Sequence, residues 1–182
     1  MATPQPFPRE MTNREFFIRR WEQEYPAFLQ VLKALPADRL DYRPEPRARS
    51  AGELSALLVG IEQAGNELCQ KGELRWEDPG GIGTRDKMVS TYEKTHEALR
   101  KGLQQMDEAT WNRMAQCWEH GHVEIEDTIG GLLWLFFFDA VHHRGQLSTY
   151  IRPMGGKVPS ICGPSADEPS AKCVPVFGPH RK

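Results

Sequence analysis

A carboxylate and an imidazole lie four residues apart in the last strongly apolar part of the chain, as Asp139 and His143. On an α-helix, residues i and i+4 lie on one face, one turn apart, so both side chains can reach a single metal ion. Such a pair suits divalent transition metals, although a catalytic site usually has three protein ligands. A structural hydrogen bond between Asp139 and His143 is the other interpretation, and so short a pattern leaves both open.

The remaining histidines are weaker candidates for chemistry. His142 points about 100° away from its neighbour on a helix and is expected to face outward. His96, His120 and His122 could each complete a site, but lone histidines are usually not ligands. Arg144 is predicted to lie off the buried stripe and to pair with an acid of a neighbouring helix.

Two capping boxes mark the first two helices that must position these groups. Thr12 and Glu15 begin the first helix, which Pro26 is expected to kink or split, and Ser50 and Glu53 begin the second. A side chain at the N-cap and a Glu three residues later satisfy backbone N–H groups that have no partner within the helix. These positions therefore predict helix starts.

Apolar spacing defines the rest of the helices. The second helix is predicted to end near Gly72, the third to begin near Thr84 and the fourth near Thr128, with residues 115–127 irregular. The predicted buried stripe of the fourth helix consists of Ile129, Leu133, Phe136, Ala140, His143, Leu147, Tyr150 and Met154. Because a buried carboxylate needs a partner, Asp139 is expected to face a metal ion, His143 or an arginine. The pattern predicts an all-α fold, a four-helix bundle.

Three segments are predicted from the distribution of proline and glycine. Residues 1–10 form a loose N-terminal lead-in, residues 11–156 form the bundle, and residues 157–182 form an extended C-terminal tail, either laid on the bundle or mobile.

Composition excludes several classes of function. The net charge is −2 with scattered basic residues, which argues against nucleic acid as a partner. The four cysteines form no C-x-x-C pair, which favours a reduced, cytoplasmic protein. The longest apolar run, residues 132–138, is far shorter than the roughly 20 residues that a membrane span needs. The N-terminus lacks the apolar core of a secretory signal.

Three sequence blocks resemble the DinB-like superfamily of damage-inducible four-helix-bundle proteins. They are His-His-Arg-Gly-Gln-Leu at 142–147, the stretch from Tyr150 to Ser165, and Ser-Ala-Gly-Glu-Leu at 50–54. The resemblance extends over residues 11–165. It implies a divalent metal, often nickel or zinc, held by a histidine of the second helix and two residues of the fourth.

The resemblance assigns His143 to the last ligand position and Asp139 to a carboxylate form of the second. The position of the remaining ligand falls on Leu57, which cannot bind a metal. Relatives include transferases that use low-molecular-weight thiols such as bacillithiol or mycothiol, and they are commonly homodimers. The resemblance therefore implies a small-molecule ligand, a homodimer and a metal site that is incomplete.

Two hypotheses follow. The first is a divalent-metal-dependent thiol S-transferase with a degenerate metal site, in which water, His120 or His122 completes the ligands around Asp139 and His143. The second is a non-catalytic dimeric binding or stress-response protein that has lost the metal site, because Leu57 occupies the ligand position on the second helix.

Overall fold

The computed structural model describes residues 10–81 and 83–169. Within them the chain is mostly helical. The elements in chain order are α1 (Asn13–Ala34), α2 (Ala51–Lys71), β1 (Leu74–Arg75), α3 (Arg85–Gln105), α4 (Glu108–Trp111), β2 (Met114–Glu119), β3 (His122–Thr128) and α5 (Ile129–Ile151).

Both predicted capping boxes are present. The Thr12 hydroxyl accepts a hydrogen bond from the Glu15 backbone N–H at 3.2 Å, and the Glu15 carboxylate accepts one from the Thr12 N–H at 3.0 Å. Ser50 and Glu53 repeat the arrangement at 3.1 and 2.8 Å. These bonds satisfy N–H groups that the first turn leaves without a helical partner. Pro26 lies inside α1, which continues past it and is not split.

The end of α2 is also where the sequence predicts it. Gly72 has a φ of 71°, in the left-handed region that a residue without a Cβ adopts freely, and its N–H donates to the Leu68 carbonyl at 2.9 Å. The Thr84 side chain then caps α3. The connection between these two helices holds β1 and a glycine-rich loop.

A small sheet corrects the all-α prediction. Residues 115–127, predicted to be irregular, contribute to a hairpin of β2 and β3, and β1 pairs in parallel with β2. A two-residue turn joins the hairpin strands, with positive φ at both His120 and Gly121. Turns of this kind match the right-handed twist of paired strands. Ala115 and Cys117 alternate toward the core, as expected for a half-buried strand.

The four long helices pack against one another around one core. α2 contacts α3 and α5, and α1 contacts the same two helices. Gly65 of α2 allows the close approach, because a Cβ at this position would lie 3.1 Å from Leu99 of α3 and 3.5 Å from Leu133 of α5. The protein chain is thus closely packed where α2 meets its two neighbours.

The buried stripe of α5 differs from the prediction at two positions. Phe137 and Arg144 are buried, whereas Phe136 and His143 are only partly buried. A continuous run of large apolar residues, 132–138, leaves the rotation of this helix ambiguous by one residue, or about 100°. The placement of His143 on the core stripe was therefore wrong, as was the placement of Arg144 off it.

The described part of the predicted tail is held by carboxylates. Asp167 accepts hydrogen bonds from the Val158 N–H at 2.9 Å and from Arg152 at 2.8 Å, and Glu168 accepts one from the Ser160 N–H at 2.9 Å. Residues 170–182, and residues 1–9 of the predicted lead-in, lie outside the described residues. Within the described ranges, no helix is both long and apolar enough to cross a membrane.

Candidate functional site

The predicted pair on α5 is formed, but it lies at the surface. The His143 Nε2 atom is 3.2 Å from the Asp139 Oδ1 atom, one helical turn apart. The Asp139 side chain is 46% exposed and that of His143 17%. The expectation that Asp139 is buried was wrong, because this side of α5 faces solvent, which hydrates the carboxylate. His142 beside it is exposed, as predicted.

The other ring nitrogen of His143 is also engaged. Its Nδ1 atom lies 2.9 Å from the Oε1 atom of Gln146, on the next turn of the same helix. A neutral ring that donates from Nδ1 to Gln146 directs the Nε2 lone pair toward Asp139. This is the tautomer that a carboxylate and an imidazole need to share a cation. A protonated ring would instead donate to both neighbours, as a structural pair.

The residues present do not fit a three-ligand metal site. Leu57, in the position that the resemblance assigns to the remaining ligand, is a core side chain that is 5% exposed. Its alkyl group has no lone pair to offer. Across residues 10–81 and 83–169, no group of three His, Cys, Asp or Glu side chains lies close enough to hold a metal. His120 sits at the hairpin turn near Glu119, and His122 is exposed on β3.

A second carboxylate–imidazole pair lies inside the protein. The His96 Nδ1 atom of α3 is 3.0 Å from the Glu62 Oε1 atom of α2, and these residues are only 1% and 6% exposed. The imidazole ring lies between the rings of Trp21 and Tyr25 of α1, at centroid distances of 3.9 and 3.7 Å. Three helices therefore meet at one histidine.

One polar atom of this buried pair lacks a hydrogen-bond partner. The His96 Nε2 atom has no hydrogen-bond partner in the described chain, and the nearest carboxylate oxygen, on Glu22, is 3.7 Å away. Glu22 in turn pairs with Arg100 at 2.8 Å. Burial, the charge of Glu62 and a hydrogen bond to it raise the pKa of the Tyr92 phenol well above its ordinary value.

Arg144 belongs to the same interior. Its guanidinium donates to the Glu24 carboxylate of α1 at 2.6 Å and lies 4.5 Å from the centre of the Phe28 ring. The predicted pairing with an acid of a neighbouring helix is therefore present. The burial of Arg144 follows from it, because an arginine can leave water when a carboxylate and an aromatic face replace its hydration.

A narrow, partly open cavity of about 20 Å³ adjoins this cluster, with Glu62, Trp21, Tyr92 and Phe137 among its lining. Its lining is almost entirely apolar.

Sequence reasoning missed Glu62 and His96 as a pair, because 34 positions separate them. A usable signal was present in α3. His96 lies four residues after Tyr92 and three before Leu99, the spacing of the buried stripe itself. A histidine in that position requires a polar partner on a facing helix.

The fold is mostly helical with a small three-stranded sheet, and the sequence places the chain in a known family. The chain belongs to the DinB family, whose model matches residues 10–172. No curated protein matches the sequence significantly.

Two crystal structures have similar folds. A DinB-like protein from Bacillus subtilis is 19% identical, with a TM-score of 0.61, and the match covers 77% of this chain and 92% of that one. A DinB-like protein from Bacillus cereus is 18% identical, with a TM-score of 0.64 and coverages of 81% and 96%. At these identities the similarity concerns the fold alone.

Proposed function

We propose that this DinB-family protein is a non-catalytic, dimeric binding protein that functions without a firmly bound divalent metal. The observation that carries the proposal is that Leu57, in the position that the resemblance assigns to the third ligand, is a buried apolar side chain. We infer further that α1, α2, α3 and α5 form the family's four-helix bundle, since each of α2 and α1 packs on both α3 and α5. The absence of C-x-x-C pairs supports a cytoplasmic location.

The remaining donors are too few for tight binding. Asp139 and His143 offer one carboxylate and one imidazole from a single helix, and His143 is also held by Gln146. A transition metal bound there would keep most of its coordination positions for water. Firm protein sites for these ions usually have three or four protein ligands.

Calorimetric titration with Ni²⁺ and Zn²⁺ tests the proposal. We expect the wild type to bind either ion weakly, and Leu57→His to bind at least tenfold more tightly, because a third ligand is added. The matched control is Leu57→His combined with Asp139→Asn, which should lose most of that gain. Tight binding of one equivalent by the wild type would contradict the proposal, and no gain in Leu57→His would show that position 57 is not the ligand position.

The metal-dependent thiol transferase is the second candidate, and one observation favours it. Asp139 and His143 remain in contact on one partly exposed helix face, where a ligand can reach them. This candidate predicts that conjugation of a low-molecular-weight thiol, such as bacillithiol, to an electrophile depends on added Ni²⁺ or Zn²⁺. His143→Ala would abolish that activity, whereas His142→Ala, on an adjacent exposed side chain, would not.

An aromatic face formed by Phe16, Trp134 and Phe138 supports the dimer. Phe138 is 63% exposed and its ring lies 5.5 Å from that of Trp134, which in turn contacts Phe16 at 5.9 Å. Apolar rings grouped on a surface gain free energy by leaving water, and a second copy of the same face would cover them. Sedimentation analysis should show a dimer that Phe138→Asp dissociates and that Ile125→Asp, on the hairpin, leaves intact. A wild-type monomer would rule this out.

A further inference from the structure

His96 has one ring nitrogen that the described chain leaves without a partner. Its Nδ1 atom is 3.0 Å from the Glu62 carboxylate of α2, whereas its Nε2 atom has no hydrogen bond to any residue of 10–81 or 83–169. The residue is only 1% exposed, so bulk solvent does not supply that bond. A buried polar atom without a partner lowers the free energy of unfolding, and native structures keep few of them.

The acceptor that faces this nitrogen belongs to α1. The Glu22 Oε2 atom lies 3.7 Å from the His96 Nε2 atom, and the other Glu22 oxygen is held by Arg100 of α3 at 2.8 Å. A neutral ring that donates from Nδ1 to Glu62 has a lone pair at Nε2, which faces the Glu22 carboxylate with no hydrogen between them. A second ring proton, on Nε2, converts this contact between two acceptors into a charge-assisted hydrogen bond. Glu22 is partly exposed, so its side chain has room to approach.

The rings that enclose His96 also suit a cation. Trp21 and Tyr25 of α1 stack on it at centroid distances of 3.9 and 3.7 Å, with interplanar angles of 25° and 16°. The face of an aromatic ring attracts a cation that lies within about 6 Å of its centre. A protonated imidazole is therefore stabilised by α1 through these two rings as well as through Glu22.

The charges around this ring come from three helices. They are Glu22 of α1, Glu62 of α2, and Glu93, Glu97 and Arg100 of α3. From α5, Arg144 acts on the Tyr92 phenol but is itself paired with Glu24. The two phenols stay uncharged near neutral pH, because burial raises the pKa of both Tyr25 and Tyr92. Carboxylates thus outnumber guanidinium groups here, so a positive ring has compensating charge around it.

We propose that His96 is a proton-operated clasp, in which a second ring proton joins α1 more tightly to α2 and α3. With one proton the ring is bound to Glu62 alone, and with two it bridges Glu62 and Glu22. Histidine is the side chain that ordinarily gains this proton between about pH 5 and 8. By linkage, the added stability is present at the acid end of that range and is lost as the pH rises. The clasp goes beyond the proposed function, because neither a metal nor a ligand takes part in it.

Unfolding of the full-length protein by urea, repeated across this pH range, tests the clasp. Glu22→Gln keeps the shape of the side chain and removes its charge, so the variant loses the charge-assisted bond to the protonated ring. The effect of the substitution is the ratio of the unfolding constants of variant and wild type. We expect this ratio to be about threefold larger at the acid end of the range than at the alkaline end, since Glu22 is partly exposed.

Two further variants separate the clasp from the other contacts of Glu22. Glu97→Gln is the matched control, because Glu97 also pairs with Arg100, at 2.9 Å. The described carboxylates that face the ring nitrogens of His96 are instead Glu22 and Glu62. The effect of Glu97→Gln should therefore not change with pH. In a His96→Gln background, Glu22→Gln should also have an effect that is independent of pH, since the group that gains the proton is gone.

Nitrogen NMR of the imidazole rings observes the proton itself in the folded wild type. The His96 signals are identified by their loss in His96→Gln. We expect Nδ1 alone to carry a proton at the alkaline end of the range, and both nitrogens to carry one at the acid end. The inference is overturned if the ratio for Glu22→Gln is the same at both ends, or if His96 keeps a single proton throughout. Neither result affects the metal titration, so failure of the clasp is distinguishable from failure of the proposed function.

Discussion

The two carboxylate–imidazole pairs of this protein have similar contact distances, 3.2 Å for Asp139 with His143 and 3.0 Å for Glu62 with His96, but opposite surroundings. The first joins successive turns of one helix at the surface. The second joins α2 to α3 in the interior, with the His96 ring stacked between those of Trp21 and Tyr25. The sequence predicts the first pair, because its members are only four residues apart in the chain.

Burial decides what each contact contributes. Water competes for the ions of an exposed pair, so such pairs contribute about 0–1 kcal/mol. When a buried group loses its partner, its charge or its hydrogen-bond donor is left uncompensated, and this lowers the free energy of unfolding by several kcal/mol. We therefore expect the interior pair to matter for folding, and the surface pair to matter only if it binds something.

The largest effect is expected from Glu62→Ala. The substitution leaves the His96 ring N–H without its acceptor and removes the hydrogen bond to Tyr92, so we expect a loss of about 3–5 kcal/mol in the free energy of unfolding by urea. Glu62→Gln, which keeps an acceptor of similar shape, should lose much less. Equal losses in the two variants would show that packing alone accounts for the position.

The next largest effect is expected from Arg144→Met. It leaves Glu24 buried with only the longer contact to Arg20, at 3.5 Å, and should cost about 2–3 kcal/mol. Combining it with Glu24→Leu should recover most of that loss in the same urea experiment, because no buried charge is then left. A double variant that is less stable than either single one would disprove this explanation.

Ionisation of Tyr92 provides a probe of the interior pair at high pH. The pKa of Tyr92 is raised in the folded state. Its contribution to the free energy of unfolding is therefore fully present below the ordinary phenol pKa of about 10, and it is lost as the pH rises above that value. Ultraviolet titration should show that Tyr92 ionises only as the protein unfolds. Tyr92→Phe should remove that component of the alkaline transition. A phenol that titrates normally in the folded protein would contradict the burial of the pair.

The smallest effect is expected from Asp139→Ala. Because the carboxylate is half-exposed, its removal should change the free energy of unfolding by no more than about 0.5 kcal/mol. The same urea experiment, run beside Glu62→Ala, compares the contributions of the surface pair and the interior pair to the free energy of unfolding. A loss above about 2 kcal/mol would mean that the surface pair supports the fold after all.

Local signals predicted the helices well. Thr12 with Glu15, Ser50 with Glu53 and the glycine at 72 fix helix ends through contacts within a few residues, which a sequence displays directly. The hairpin was missed because β3 has an exposed, charged surface rather than a buried stripe, and its turn is His120-Gly121 rather than the more typical Asn-Gly.

The candidate site was predicted only in part, since its contacts bridge distant parts of the chain. Asp139 and His143 meet as their spacing requires. His96 and Glu62 meet because α2 and α3 pack together, and Arg144 is buried because Glu24 of α1 faces it. Such partners depend on the rotation of each helix, which the apolar run before Asp139 leaves open by one residue.

Under the proposed function, this protein does not retain a firmly bound divalent metal. Elemental mass spectrometry of protein purified without a nickel column measures its metal content. We predict well below one equivalent of any transition metal per chain, since Leu57 provides no ligand. Close to one equivalent of nickel or zinc would contradict the proposed function and make the metal-dependent transferase the leading hypothesis.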